Sequence, residues 1–163
     1  RLPIELLLGA LLLAGYAHLA WQCYWLNFRL DADTRNPYVY AHTSPDMLKF
    51  AAMLERLAEA APVGHAMTIH VVTPENFWPV PWYVRRFDAR RVGYWPDVSA
   101  WSRESAGAPP PDVLIFTPDV QEQADAALRD SYHKQMIYGL RPGVFLVVYV
   151  REPIWRDFVA KAQ

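Results

Sequence analysis

The sequence predicts an α/β protein in which a single N-terminal transmembrane helix precedes an α/β sandwich whose mixed sheet ends in a hairpin. Two observations predict this class. An apolar stretch long enough to cross a bilayer occupies the N-terminus. Beyond it, the hydrophobic periodicity alternates between that of helices and that of strands. We therefore expect a transmembrane helix over residues 1–28, a connector over residues 29–43 and a soluble α/β domain over residues 44–163.

The apolar stretch Ile4–Trp25 holds about twenty-two residues, which at 1.5 Å per residue matches a hydrocarbon core of roughly 30 Å. Its far end carries aromatic side chains of the kind that lie at membrane interfaces. These predicted interface residues are Trp21, Tyr24, Trp25 and Phe28. A signal peptide is the first alternative, although no small-residue cleavage site follows the stretch. A buried core helix is the second, although the stretch is apolar all round.

The first helix of the soluble domain is predicted over Ser44–Ala60, with Ser44 as its cap and Pro45 at the first helical position. Apolar residues then recur at intervals of three and four, which indicates one buried face. The β-branched run Met67–Thr73 predicts a strand, and Arg91–Trp95 predicts another.

The second half of the domain begins with a predicted loop, Ser102–Asp112, which is rich in proline, glycine and serine. The nearly continuous apolar run Pro111–Phe116 is typical of a parallel strand covered on both faces. A helix, a hairpin and a short closing helix should follow. Their predicted ranges are Pro118–Arg129 for the helix, Tyr132–Tyr138 and Val144–Val150 for strands joined by Gly139–Gly143, and Ile154–Ala162 for the last helix.

Composition excludes several classes of function. The net charge is −1, so the chain lacks the basic surface on which nucleic-acid binding depends, and we expect no nucleic-acid partner. The single cysteine, Cys23, excludes an internal disulfide and a multi-cysteine metal site. The histidines lack ligand-like spacing, and the sequence has no Gly-x-Ser-x-Gly, Walker, Gly-x-Gly-x-x-Gly or His-Glu-x-x-His motif. We therefore assign no catalytic residue, metal or cofactor.

The segment Pro74–Arg86, which reads PENFWPVPWYVRR, is the strongest candidate for a binding site. It directly follows a predicted strand, and ligands of α/β sheets usually bind at the carboxyl ends of strands. Its aromatic rings can contact a glycan, a lipid headgroup or a partner protein, and its arginines can pair with phosphate or carboxylate. The predicted binding residues are Glu75, Asn76, Trp78, Trp82, Tyr83, Arg85, Arg86, Tyr94 and Trp95. The alternative is that the tryptophans fill the core and the arginines are solvated.

Two stretches carry a resemblance to a known family. NPYVYAHTSPDMLKF at residues 36–50, followed by ENFWPVPWYVRRF and VGYW, resembles the C-terminal part of the flippase-activity-associated membrane proteins. That family is related to the dolichyl-phosphate-mannose protein mannosyltransferases, which have the polytopic GT-C glycosyltransferase fold. The resemblance implies that Ile4–Trp25 is a last transmembrane helix and that the remainder is an extracytoplasmic domain, on the periplasmic or extracellular side.

The resemblance implies a binding or positioning role for this domain, since GT-C relatives place their catalytic acidic residues in an early loop that these residues do not include. The expected partners are the lipid bilayer, other transmembrane helices or subunits of a membrane complex, and a lipid-linked sugar. Two readings remain open: part of a polytopic GT-C-like protein, or a stand-alone single-span accessory subunit that docks on a membrane complex. About ten further hydrophobic segments encoded upstream of Arg1 would favour the first reading, and an initiator methionine just before Arg1 the second.

Overall fold

The computed structural model describes residues 3–39, 42–128 and 131–161. The chain divides into two compact units, Arg1–His42 and Thr43–Gln163. The first unit contains helix α1 and the connector, and the second contains the α/β domain. An N-terminal apolar helix followed by a mixed α/β sheet is the predicted fold class, which is thus confirmed.

Helix α1 spans Ile4–Phe28 and has a mean hydropathy of 1.6 over its most apolar window. It is the one helix in the described residues with the length and composition of a single-pass membrane anchor. The connector contacts the end of this helix. The side-chain amide of Asn36 donates to the carbonyl oxygens of Leu26 and Leu30, each at 3.0 Å. Four carbonyls at a helix end lack intrahelical partners, so this contact satisfies part of that deficit.

The α/β domain is built on a five-stranded sheet. Its strands are β1 Ile69–Val72, β2 Val92–Trp95, β3 Val113–Phe116, β4 Tyr132–Arg141 and β5 Val144–Arg151. The order across the sheet is β2-β1-β3-β5-β4. Strands β1, β2 and β3 are parallel, whereas β5 runs antiparallel to β3 and forms a hairpin with β4. This is the mixed sheet ending in a hairpin that the sequence predicts.

Within the described residues, five α-helices cover the two faces of this sheet. They are α2 Asp46–Ala60, α3 Val80–Tyr83, α4 Val98–Glu104, α5 Pro118–Leu128 and α6 Glu152–Lys161. Buried residues of α2, α3 and α6 belong to one apolar core, and those of α4 and α5 to a second core on the opposite face. Strand β3 supplies Val113 and Ile115 to the first core and Leu114 and Phe116 to the second. Burial on both faces explains why its sequence is continuously apolar.

Some predicted boundaries need correction. Helix α2 begins at Asp46 with Pro45 as its N-cap, so Ser44 is not the cap and Pro45 is not the first helical residue; the Ser44 Oγ accepts from the Asp46 N–H at 3.2 Å in the turn before the helix. Strand β1 begins at Ile69 rather than Met67. Strand β4 continues beyond Tyr138 to Arg141, because the turn needs only two residues, the second of which, Gly143, has a φ of 78°.

Two short helices differ from the prediction. Ser102–Glu104 was expected in a loop but forms the last turn of α4, which begins after Asp97. The Oδ1 atom of Asp97 accepts from the Ala100 N–H at 2.7 Å, and Trp101 packs into the second core, so a cap and a buried face stabilise this helix. Helix α3 lies inside the proline-rich segment after β1. Arg129 and Ala162, the predicted last residues of two helices, lie outside the described residues.

Candidate binding surface

The chain leaves the sheet directly after β1 through two side-chain-stabilised turns. The Thr73 N–H still donates to the Trp95 carbonyl, while the Thr73 hydroxyl accepts from the Glu75 N–H at 3.0 Å. The Asn76 side-chain oxygen then accepts from the Trp78 N–H at 2.9 Å. Such side-chain hydrogen bonds replace the interstrand hydrogen bonds that the backbone would make if the strand continued. They place residues 74–86, here called the aromatic segment, at the carboxyl end of β1.

Arg141, at the end of β4, holds the start of the aromatic segment. Its Nη1 donates to the carbonyl oxygens of Asn76 at 2.6 Å and Trp78 at 3.1 Å. Its Nη2 lies 3.5 Å from the Glu75 carboxylate. A fixed fork of donors can satisfy several acceptors at once, so one side chain restrains this turn. The sequence gives no signal for this contact, because 65 positions separate Arg141 from Asn76.

Apolar anchors hold the aromatic segment to the first core. Val80, Val84 and Phe87 are buried there, with 0%, 3% and 4% of their surface exposed. In contrast, Trp78 is 57% exposed and Trp82 is 58% exposed. The core beneath the segment is therefore filled by smaller side chains and Phe87, and not by these two tryptophans. Their flat faces are accessible to solvent.

The two adjacent arginines lie in different environments. The guanidinium carbon of Arg85 lies 4.1 Å from the centre of the Trp82 ring, and its Nη1 donates to the Trp82 carbonyl at 2.6 Å. Arg86 instead lies 3.5 Å from the carboxylate of Glu55 on α2. Arg85 and Trp82 thus form one exposed cation–π pair, whereas the charge of Arg86 is paired with Glu55. Arg85 is the better placed of the two to meet an external anion.

The structure separates the other predicted aromatic residues. Tyr83 is half-buried and packs against the first core. Tyr94 stacks on Phe77 with ring centres 4.5 Å apart, and burial raises the pKa of Tyr94 to about 12. Trp95 lies on the opposite face of β2, because successive side chains of a strand alternate between faces.

On that opposite face, Trp95 belongs to a polar and aromatic cluster away from the aromatic segment. Its ring centre lies 4.5 Å from that of His70, and its Nε1 donates to Glu104 at 2.9 Å. The Nε1 of Trp101 donates to Nδ1 of His70, also at 2.9 Å. The predicted set of nine residues is therefore not one contiguous site, and Trp95 has a separate structural environment.

A crevice of about 360 Å³ lies beside the aromatic segment, at the carboxyl ends of β1 and β3. The chain leaves β1 toward α3 on one face and leaves β3 toward α5 on the other. Such a reversal opens a crevice between adjacent parallel strands, where α/β proteins usually bind ligands. Glu75 lines it together with Thr117, Asp119 and Phe145. Carboxylate, hydroxyl and aromatic groups can together contact a polyhydroxylated molecule.

In the residues that the structure describes, no three His, Cys, Asp or Glu side chains are grouped so that they could hold a metal ion. The polar and aromatic groups of this surface are the exposed rings, the Arg85 guanidinium and the oxygen atoms of the crevice. No family model, curated protein or solved structure matches this chain.

Proposed function

We propose that this chain is a membrane-anchored extracytoplasmic domain that acts as a non-catalytic binding or positioning module of a GT-C-like glycosyltransferase or flippase-associated membrane protein. The observation that carries the proposal is the exposure of Trp78 and Trp82 on a segment that Val80 and Val84 anchor in the first core. Large exposed apolar side chains held together on a fixed backbone are typical of interaction surfaces.

The way in which the segment is held supports this role. Arg141 fixes its first turn, and the buried Val80 and Val84 fix its helix. A surface that is ordered before it binds loses less conformational entropy on association. Pro79 and Pro81 restrict the backbone in the same region. Binding energy would then come from the exposed rings, without a large cost of ordering them.

The chemistry of the surface fits an anionic headgroup or glycan near a bilayer. Trp82 and Arg85 present a ring face beside a guanidinium group. Tryptophan is enriched at membrane interfaces, and arginine binds phosphate through parallel hydrogen bonds. A lipid-linked sugar carries both a phosphate and sugar rings, so the proposed ligand is the headgroup of such a lipid.

A second proposal is that the chain is a stand-alone single-span accessory subunit that docks on a larger membrane complex and stabilises it. In this proposal, helix α1, which has the length and composition of one membrane crossing, would be the anchor of the subunit. The two proposals differ in what the exposed tryptophans contact: a lipid-linked sugar in the first, and a protein surface in the second.

The test replaces Trp78 and Trp82 together by alanine in the full chain, in host membranes that lack the native copy. We expect transfer of a labelled sugar from its lipid-linked donor to fall by about tenfold, since two aromatic contacts with the ligand, of about 0.5–1.5 kcal/mol each, would be lost. The melting temperature should stay nearly unchanged, because both rings are exposed.

Two control variants make this test specific. Leu48→Ala removes a side chain that is 68% exposed on α2 and should leave transfer unchanged. Phe87→Ala removes a buried ring and should lower the free energy of unfolding by about 3–5 kcal/mol. Normal transfer with the tryptophan pair removed contradicts the glycosyltransferase proposal. If a large membrane complex then loses this chain on a native gel, the accessory-subunit proposal is favoured.

A further inference from the structure

The crevice at the carboxyl ends of β1 and β3 has walls from three separate parts of the domain. Glu75 follows β1, Thr117 and Asp119 follow β3, and Phe145 lies near the start of β5. Its volume of about 360 Å³ falls within the range of roughly 300–1,000 Å³ that small-molecule sites occupy. The crevice therefore suits one small molecule, or one ring of a larger ligand.

Hydrogen bonds hold the two strand exits that form one wall of the crevice. Thr117 is 2% exposed, and its hydroxyl donates to the Thr73 hydroxyl at 3.3 Å. The Thr73 hydroxyl also accepts from the Glu75 N–H, and Arg141 lies 3.5 Å from the Glu75 carboxylate. This wall is therefore formed before a ligand enters, which lowers the entropy that binding must overcome.

The polar side chains of the crevice offer acceptors rather than donors. The carboxylates of Glu75 and Asp119 accept hydrogen bonds and donate none, and the Thr117 hydroxyl already donates to Thr73. None of the described residues that line the crevice carries a positive charge. A ligand must therefore supply the donors, as hydroxyl groups do. A phosphate or carboxylate would be repelled by the two carboxylates.

Phe145 gives the crevice a flat apolar wall. Its ring is 49% exposed. It lies two residues before Val147, which belongs to the second core, so the alternation of the strand places both on the face that α5 covers. Helix α5 begins at Pro118 on this face, and an aromatic ring and the Asp119 carboxylate thus border one crevice. A pyranose has an apolar face and a rim of hydroxyl groups, which match these two surfaces.

We infer that the crevice binds an uncharged hexose ring, with Phe145 against the face of the ring and with Glu75 and Asp119 accepting from its hydroxyl groups. The inference rests on the proposed function, because the hexose would be the sugar of the lipid-linked ligand whose phosphate meets Arg85. The carboxylates select against a uronic acid. Arg141 already pairs with Glu75, so the crevice attracts a free cation less than two unpaired carboxylates would.

The test measures sugar binding to the full chain in sugar-free detergent micelles by saturation-transfer NMR. The methyl glycosides of glucose, galactose and mannose are each compared with the matching uronic acid, which adds one carboxylate to the same ring. We expect at least one hexoside to bind, and its uronic acid to bind about fivefold more weakly. Phe145→Ala should weaken hexoside binding about fivefold. Ile137→Ala removes a side chain that is 56% exposed on β4 and should not weaken it.

Asp119→Asn tests the source of the selectivity. The amide keeps the shape of the side chain but removes its charge, so the difference in affinity between hexoside and uronic acid should narrow about twofold or more. Glu122→Gln removes an equal charge from an exposed position further along α5, outside the crevice. This control should leave the difference unchanged.

The outcomes separate this inference from the proposed function. It would be overturned by binding of no hexoside, by equal or tighter binding of the uronic acids, or by displacement of the hexoside by an equal concentration of ethanolamine. Equal effects of Phe145→Ala and Ile137→Ala, or of Asp119→Asn and Glu122→Gln, would also overturn it. If transfer is lost without Trp78 and Trp82, the proposed function still stands in each of these cases. Selective hexoside binding together with normal transfer in that variant would leave the sugar site and contradict the proposed function.

Discussion

At the scale of single residues, Arg141 gives the most direct test of how the aromatic segment is held. Replacing it by glutamine removes charged donors from two carbonyl oxygens and should lower the free energy of unfolding by about 1–3 kcal/mol. Arg156→Gln is the matched control, because Arg156 is exposed and pairs with Glu152 one turn away on α6. Denaturant unfolding of the full chain in detergent measures both. Equal losses would show that Arg141 has no special role.

His70 predicts a pH dependence of stability. Burial lowers its pKa to about 4, and its Nδ1 accepts from Trp101. The unfolded chain gains a proton near pH 6.5 and the folded chain only near pH 4, so stability should fall as the pH drops between these values. After allowance for partial exposure, the loss should be about 1–2 kcal/mol. His70→Gln should be nearly flat over the same window when unfolding is measured at each pH, and a parallel slope would contradict the assignment.

Local sequence patterns point to some residues of the candidate surface and miss others, for physical reasons. Trp78 and Trp82 stand out because proline and aromatic residues are concentrated around them, and both are exposed. The predicted binding set also includes Trp95, although the two-residue alternation of a strand places Trp95 and Tyr94 on opposite faces. Arg141 could not be identified, because no local pattern reports a contact between distant positions.

At the scale of elements, β3 gives the sharpest test of the fold. It lies between β1 and β5 with every residue buried. Ile115→Asp should therefore unfold the domain, because an unpaired carboxylate in the core costs several kcal/mol against a total stability of roughly 5–15 kcal/mol. Glu122→Lys changes an exposed residue of α5 and should have little effect. Circular dichroism of both variants measures this, and a folded Ile115→Asp variant would contradict the sheet order.

Elements with a strong hydrophobic pattern are predictable from the sequence, and the short helices are not. The apolar faces of α1 and α2 extend over several turns, and β3 and β5 carry continuous apolar runs. Helices α3 and α4 have only four and seven residues, too few for a periodic pattern to emerge. Tertiary burial stabilises them instead, through Val80 in α3 and Trp101 in α4.

At the scale of the whole molecule, the sequence predicts the fold class because its two units differ in hydrophobic pattern. One is a long apolar helix, and the other alternates helices with strands. The side of the membrane on which the domain lies has no such signal. Arg1 precedes the helix and Arg29 and Arg35 follow it, so the distribution of basic residues gives no usable bias. The extracytoplasmic location is a proposal that rests on the resemblance alone.

Labelling of a single cysteine in intact cells tests the central claim, that this domain is anchored to a membrane and lies outside the cytoplasm. Ala106→Cys in a Cys23→Ser background places the only thiol at an exposed position after α4. A membrane-impermeant thiol reagent should label this variant before lysis, and should not label the Cys23→Ser chain. Labelling of Ala106→Cys that appears only after the cells are lysed would contradict the claim.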